Sequence, residues 1–298
     1  MTTKISGLWL PLVTPFKDGA VDFSSYERLI EHYIAQSVDG LFPLGTTGEA
    51  PALDDDEIDE LVERTVAKVA GRVPVFVGVG GNATHKVAKM LERLDRFAFE
   101  GIVSVCPYYN RPSQDGLIAH FRAVAAATDR CVLIYNIPYR TAVNLSNDSL
   151  LELAEVSNIV GVKDSSGSIA QSLELLARKP VDFSVLTGED ALFFTMMANG
   201  ADGGILAASH LKTAGFVEVG RRFAANDVAG ARAAWAPLAS FVPLLFAEAN
   251  PMPIKYLLWR QGLIASPECR LPLTRISDAL ARRLDDLIPD MTGAKRAA

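Results

Sequence analysis

The stretch NIVGVKDSSG, residues 158–167, decides how the whole chain is read. Four residues with no polar side chain, Ile159, Val160, Gly161 and Val162, lead straight to an amine, Lys163. The small polar run Asp164-Ser165-Ser166-Gly167 follows. A short, near-continuous β-branched run is the pattern of a strand buried on both faces of a parallel sheet. Lysine is among the residue types least often fully buried. An amine at the end of such a strand needs a frame, and the flanking sequence provides one.

Outward from this stretch, runs of the same kind recur at residues 8–13 (LWLPLV), 40–45 (GLFPLG), 73–79 (VPVFVGV), 101–105 (GIVSV), 131–135 (CVLIY), 183–186 (FSVL) and 203–207 (GGILA). With 159–162 they make eight. Between them lie segments with apolar residues at helical spacing, at 54–70, 83–99, 114–127, 147–156 and 168–176. In the first, Ile58, Leu61, Val62, Thr65, Val66 and Val69 share one face, and acids crowd the opening turn, where they complement the helix dipole. Eightfold alternation of strand and helix predicts an α/β fold, a (β/α)8 TIM barrel. A doubly wound sheet is the other candidate, and it would have to split this even series. From about residue 227 the strand signal stops. Helices are expected at 229–246, 253–259 and 277–287, so the chain divides into a barrel, 1–226, and a C-terminal helical extension, 227–298. The last residues, 292–298, are small and polar and are expected to fray.

Composition narrows the function classes. The chain has 298 residues, 49% of them hydrophobic, enough for one barrel-sized core. A net charge of -6 without basic runs argues against nucleic acid as a partner. No apolar run reaches the ~18 residues of a membrane span, and residues 1–7 lack the apolar core of a signal peptide. The three cysteines, Cys106, Cys131 and Cys269, are odd in number and widely spaced. They fit reduced thiols in a cytoplasmic protein. His32, His85, His120 and His210 show no metal-ligand spacing, so no metal is expected. The glycine-rich run 77–82 lacks the dinucleotide fingerprint, so no cofactor is expected.

In a barrel of this kind the active site lies at the C-terminal strand ends. Lys163 stands at the sixth. Against an apolar interior its charged form is disfavoured, so its pKa falls and it can attack a ketone to form a Schiff base. The other reading is a stem lying along the rim with a solvated head. The second strand ends in Gly45-Thr46-Thr47-Gly48-Glu49, whose N–H groups and hydroxyls suit a small carboxylate, or make an ordinary capped turn. The fifth ends in Tyr135-Asn136-Ile137-Pro138-Tyr139-Arg140-Thr141. Tyr135 is placed to relay protons and Arg140 to grip a carboxylate, or the pair is a packing tyrosine and a surface arginine. After the fourth, Tyr108 and Tyr109 sit in a proline-bounded loop, as rim packing or as a reach toward a neighbouring subunit.

Taken together, GTTGE at 45–49, PYYNRPSQ at 107–114, YNIPYRT at 135–141, GVKD at 161–164, TGED at 187–190 and NPMPIK at 250–255 resemble the dihydrodipicolinate synthase/N-acetylneuraminate lyase family of class I, Schiff-base aldolases. The resemblance runs from Gly7 to about Arg275. PYYNRPSQ and the arginine after YNIP point to its synthase branch, which condenses pyruvate with aspartate 4-semialdehyde toward lysine. The resemblance implies that Lys163 forms the imine. It implies that Tyr135, Thr46 and Tyr109 relay protons, with Tyr109 inserted from a partner subunit. It implies that Thr46 and Thr47 bind the pyruvate carboxylate, that Arg140 holds the semialdehyde carboxylate, and that Gly188 and Ile205 line the site. It also implies small-molecule substrates and a homotetramer built as a dimer of dimers.

Four positions depart from the synthase pattern: Asp164 for the usual glutamate, Tyr139 for a small residue, Ala142 for a glycine, and Ser209-His210 where an asparagine is typical. They keep open a related aldolase or dehydratase acting on a 2-keto sugar acid or another 2-oxo acid, and a non-catalytic pyruvate-binding relative is a third reading. Lys86, counted four on from Asn82, replaces the glutamate of the family's lysine feedback site. Asp55 and Ile58 replace its histidines. A cation there repels a lysine ammonium, so weak feedback is expected.

Overall fold

A computed structural model describes residues 4–288. The expected tail at 292–298 lies outside them. The eight runs form eight strands: β1 Gly7–Leu10, β2 Gly40–Leu41, β3 Phe76–Gly78, β4 Gly101–Val105, β5 Cys131–Asn136, β6 Ile159–Asp164, β7 Ser184–Thr187 and β8 Gly203–Ile205. They lie parallel in the order β2-β1-β8-β7-β6-β5-β4-β3. The ends of this row meet through a parallel bridge, Leu41 to Val75, and through the Gly78 N–H donating to Pro43 O at 2.9 Å. The expected (β/α)8 TIM barrel is therefore the fold, and the doubly wound alternative falls.

Alternation along the strands sorts side chains into two cores. Trp9, Phe42, Phe76, Val103, Leu133, Tyr135, Val160, Leu186 and Ile205 fill the barrel interior. Leu8, Leu10, Leu41, Val77, Ile102, Val132, Ile134, Ile159, Val162 and Val185 face outward, under the helices. One position breaks the period of two. Between β5 and β6 the register passes from Val132 opposite Ile159 to Leu133 opposite Gly161, so β6 carries one extra residue, Val160. This bulge advances the face by one residue. A Cβ on Gly161 would lie 2.2 Å from the Ser184 carbonyl oxygen, so only glycine lets β7 approach there.

The helices start where serine or acidic caps allow. Ser113, Ser146, Ser168 and Ser277 each accept the N–H three residues on, and Glu57 reaches back to the N–H of Asp54 at 3.0 Å. Two expected helices differ in extent. The segment read as 83–99 is helical only over Thr84–Leu94, because the Asp95 and Phe97 carbonyls turn aside to accept from the Arg130 guanidinium at 2.9 and 2.8 Å. The segment read as 229–246 is two helices, Val228–Ala239 and Val242–Leu245. Pro243 has no N–H to continue the ladder, and its ring would meet the carbonyl four residues back. Met252–Arg260 and Asp278–Asp285 follow, and Leu238, Ile254, Leu257 and Leu280 of these C-terminal helices belong to the same core cluster as the outward-facing strand residues. A small hairpin, Phe16–Lys17 with Ala20–Val21, was not legible as strands. Its Asp18-Gly19 turn takes φ of +54° and +82°, the mirror-image turn that a two-residue hairpin needs.

Candidate active site

The bulge in β6 aims the lysine. After it, Leu133 pairs with Gly161 and Tyr135 with Lys163, so Lys163 shares the inward face of Leu133 and Tyr135. Had the register of Val132 and Ile159 continued unshifted, Tyr135 would pair with Val162, and Lys163 would turn out to the helices. Its Nζ instead lies 4.1 Å from the centroid of the Tyr135 ring and 5.3 Å from that of Phe42. Only 6% of the residue is exposed. The reading of a rim lysine with a solvated head does not describe it.

Burial strips the ammonium of its hydration and brings the Lys163 pKa down to about 8. The carboxylates of Asp190 and Glu189 oppose that fall, and the Arg140 guanidinium adds to it. Both acids belong to the TGED run, of which the sequence reading placed only Gly188 in the site. Asp190 is buried, and desolvation pushes its carboxyl up to about 7 although the Ala208 N–H donates to it at 2.6 Å. Burial also raises Glu189, with the Asp164 charge adding to it. Neither Asp164, next to the amine in sequence, nor Glu49 of the GTTGE run is among the groups that shift it. Asp164 accepts from the Ser166 N–H at 2.9 Å and from the Ser172 hydroxyl, and Glu49 pairs with Lys255.

Two of the other sequence-selected residues, Tyr135 and Gly188, stand against this side chain, and Arg140 acts on it through its charge. The Tyr135 phenol is pushed well above its usual value by burial, so it stays neutral and can both donate and accept. Gly188 leaves room for the lysine stem: a Cβ there would stand 2.7 Å from Lys163 Cε and 2.2 Å from Ser165 Oγ. Ile205 is buried in the interior cluster beside Trp9, its register partner. Thr46 is half-buried and Thr47 buried, in the turn after β2. The Gly48 and Glu49 N–H groups are spent inside that turn, on Gly45 O and Thr46 O. The Thr46 and Thr47 N–H groups meet no acceptor among the described residues. Arg140 is exposed on the one-turn helix Pro138–Thr141, its Cζ 5.7 Å from the centroid of the Tyr139 ring.

One chain does not bring Tyr109 into this group. Its side chain is 88% exposed on the loop after β4, with φ at +73°. The departures near β8 are also absorbed by the fold. His210 donates from Nδ1 to Ala207 O at 2.8 Å and accepts the Val13 N–H on Nε2 at 3.2 Å, which holds it neutral. The Ser209 hydroxyl donates to Leu206 O at 2.7 Å. Ala142 caps the helix of Arg140 with φ at +61°, the left-handed region where a glycine sits without strain. Sequence reading assigned no role to Phe42, Glu189, Asp190 or Asn250. The last three lay within quoted motifs, which were the available signal.

No three His, Cys, Asp or Glu side chains converge as a metal-binding group, and no helix is long and apolar enough to cross a membrane, among the described residues. What the geometry offers is a buried, partly deprotonated amine beside a neutral phenol, two hydroxyls with free N–H groups, and an arginine.

Comparison with known proteins places the chain in a family. The chain is 48% identical over 285 residues to 4-hydroxy-tetrahydrodipicolinate synthase 2 of Clostridium acetobutylicum, covering 96% of this chain and 100% of that one. It is 40% identical to the 4-hydroxy-tetrahydrodipicolinate synthase of Laribacter hongkongensis, covering 92% and 94%. The crystal structure of dihydrodipicolinate synthase from Aquifex aeolicus superposes with a TM-score of 0.94 at 36% identity, covering 98% and 100%. The model of the Dihydrodipicolinate synthetase family matches residues 4–290, and with likeness running the full length of both sequence and fold, the chain belongs to that family.

Proposed function

We propose that the chain is a class I lyase that condenses pyruvate with aspartate 4-semialdehyde, the reaction of 4-hydroxy-tetrahydrodipicolinate synthase. The observation that carries this reading is the buried Lys163 amine, brought to about 8 by desolvation and set against Tyr135. Its free form attacks the keto carbon of pyruvate, and loss of water leaves an imine. The cationic nitrogen acidifies the pyruvate methyl group, a proton leaves, and the enamine attacks the aldehyde carbon. Tyr135, Thr46 and Tyr109 carry the protons in this scheme. The Thr46 and Thr47 hydroxyls and N–H groups receive the pyruvate carboxylate, and Arg140 receives that of the semialdehyde.

Tyr109 enters this scheme from a second copy of the chain, which fits its exposure here, and a dimer of such dimers is the assembly proposed. A cytoplasmic location goes with the reading, and three unpaired thiols suit it. The alternative of a 2-keto sugar acid loses part of its motive, since Ser209 and His210 spend their polar atoms within the fold.

The test is direct. Purified protein with pyruvate and borohydride gains the mass of a reduced pyruvate adduct on Lys163, and with aspartate 4-semialdehyde it turns over. An adduct without turnover moves the reading to another aldehyde or 2-oxo acid, and no adduct ends it.

A further inference from the structure

The turn at 45–49 does not keep its shape unaided. Leu44 before it has φ +60° and Glu49 at its end has φ +53°, left-handed conformations that such side chains adopt under tertiary constraint. The constraint comes from NPMPIK, about two hundred residues further on. Lys255, fully buried, donates to the Glu49 carboxylate and to Glu268 O at 2.9 Å. The other Glu49 oxygen accepts from the Arg270 N–H at 3.0 Å. At the opposite end of the same segment, the Asn250 Nδ2 donates to Thr47 Oγ1 at 3.0 Å.

That last bond has a direction with a chemical consequence. An amide NH2 has no lone pair to offer, so Thr47 Oγ1 is the acceptor and its own proton is left to give. A hydroxyl in that state is a donor suited to a carboxylate. Had the amide been turned over, its oxygen would take the hydroxyl proton and the site would lose a donor. Asn250 is itself only 8% exposed, and its Oδ1 is buried with no partner among the described residues. The amide is therefore no closed structural link, and one of its polar atoms remains available beside Thr47.

We infer that Asn250 is a positioning residue for the 2-oxo acid: its N–H fixes the Thr47 hydroxyl as a donor toward the substrate carboxylate, while the Glu49–Lys255 clamp holds the turn. The inference rests on Thr47 being a carboxylate ligand, as proposed above.

A double-mutant cycle separates the two ideas. Thr47→Val, Asn250→Ala and their combination are compared with the unaltered chain. The readouts are KM for pyruvate, KM for the aldehyde, kcat, and the pyruvate concentration giving half-maximal borohydride trapping. Each single change is expected to raise the two pyruvate values about tenfold, the worth of one hydrogen bond to a charged group. For Asn250→Ala the aldehyde KM stays within about twofold, which separates a role at the 2-oxo acid from a general loss of the site. The combination binds pyruvate no worse than Thr47→Val alone. Asn250→Asp keeps the volume but offers only acceptors, and it is expected to be worse than Asn250→Ala. If Thr47→Val leaves pyruvate binding unchanged, the carboxylate reading itself fails. If Thr47→Val weakens binding and the Asn250→Ala penalty recurs in full beside it, the positioning role is overturned. It is overturned too if Asn250→Asp binds pyruvate normally.

Discussion

Tyr135 and Lys163 are register partners on adjacent strands, and the lysine Nζ stands 4.1 Å from the centroid of the tyrosine ring. A ring face attracts a cation, which alone would favour the ammonium. Desolvation outweighs that attraction, and the amine comes down to about 8. The site therefore holds its nucleophile partly free near neutral pH.

The first prediction concerns pH. With a pKa of about 8, roughly a tenth of the Lys163 amines are free at pH 7, against fewer than about one in a thousand at the ordinary lysine value. The initial rate of borohydride-trappable adduct formation should rise nearly tenfold per pH unit below 8 and level off above it. Lys163→Arg should give no adduct at any pH, because a guanidinium does not lose its proton. A rate independent of pH from 6 to 9 would contradict the assignment.

Asp190 supplies the second. Its carboxylate favours the lysine ammonium. Asp190→Asn keeps the shape and can still accept the Ala208 N–H, but it removes the charge. The inflection in adduct formation should then move below 8. An upward shift would show that Asp190 acts on the amine by some other route.

A third follows from linkage. A lysine whose pKa is lower in the folded chain binds fewer protons there than when unfolded, so it costs stability at every pH below its unfolded value. That cost is complete below about pH 8 and disappears as pH rises to about 10.5. Lys163→Met should therefore unfold at higher denaturant than the parent at pH 7, by up to about 3 kcal/mol. The gap should close between pH 8 and pH 10.5. A less stable Lys163→Met at pH 7 would mean that the amine is not held at a cost.

The buried pair Glu49–Lys255 gives the fourth. Lys255→Met leaves the Glu49 carboxylate in the interior without its countercharge, a loss of about 3–5 kcal/mol. Adding Glu49→Gln should recover a large part of it. Chemical denaturation of the two variants measures both numbers, and equal losses would show that the pair is not coupled.

Tyr109 is the subject of the fifth. Tyr109→Phe should slow turnover at least about tenfold while adduct formation stays near normal, since a relay hydroxyl acts on proton transfer and not on the amine. Full turnover by Tyr109→Phe would remove it from the relay.

How much of this was legible in one dimension varies by residue. The LWLPLV and IVGV type of run announced the strands, because burial on both faces leaves no polar position to interrupt it. Thr46, Thr47, Tyr135, Arg140, Gly188, Ile205 and Lys163 are legible as residues at or just beyond strand ends, and of these Tyr135 and Lys163 lie against each other in the barrel, while Tyr109 stands apart on an exposed loop. The end of the helix at Leu94 and the break before Val242 were not read. The first depends on Arg130 capturing carbonyls from a distant strand, and the second on a proline whose position inside an apolar run masked it.

The sequence alone determined the eight strands, their alternation with helices and the presence of an amine at the sixth strand end, because these rest on local periodicity and residue type. Only the tertiary structure decided which way that amine points. Facing along a strand has a period of two, so the single extra residue at Val160 reverses it, and nothing in the spacing of Ile159 to Lys163 reveals a bulge that exists only against a neighbouring strand. Only the fold, likewise, could join Glu49 to Lys255 and Thr47 to Asn250. Those bonds depend on two segments, about two hundred residues apart, arriving on the same side of the barrel.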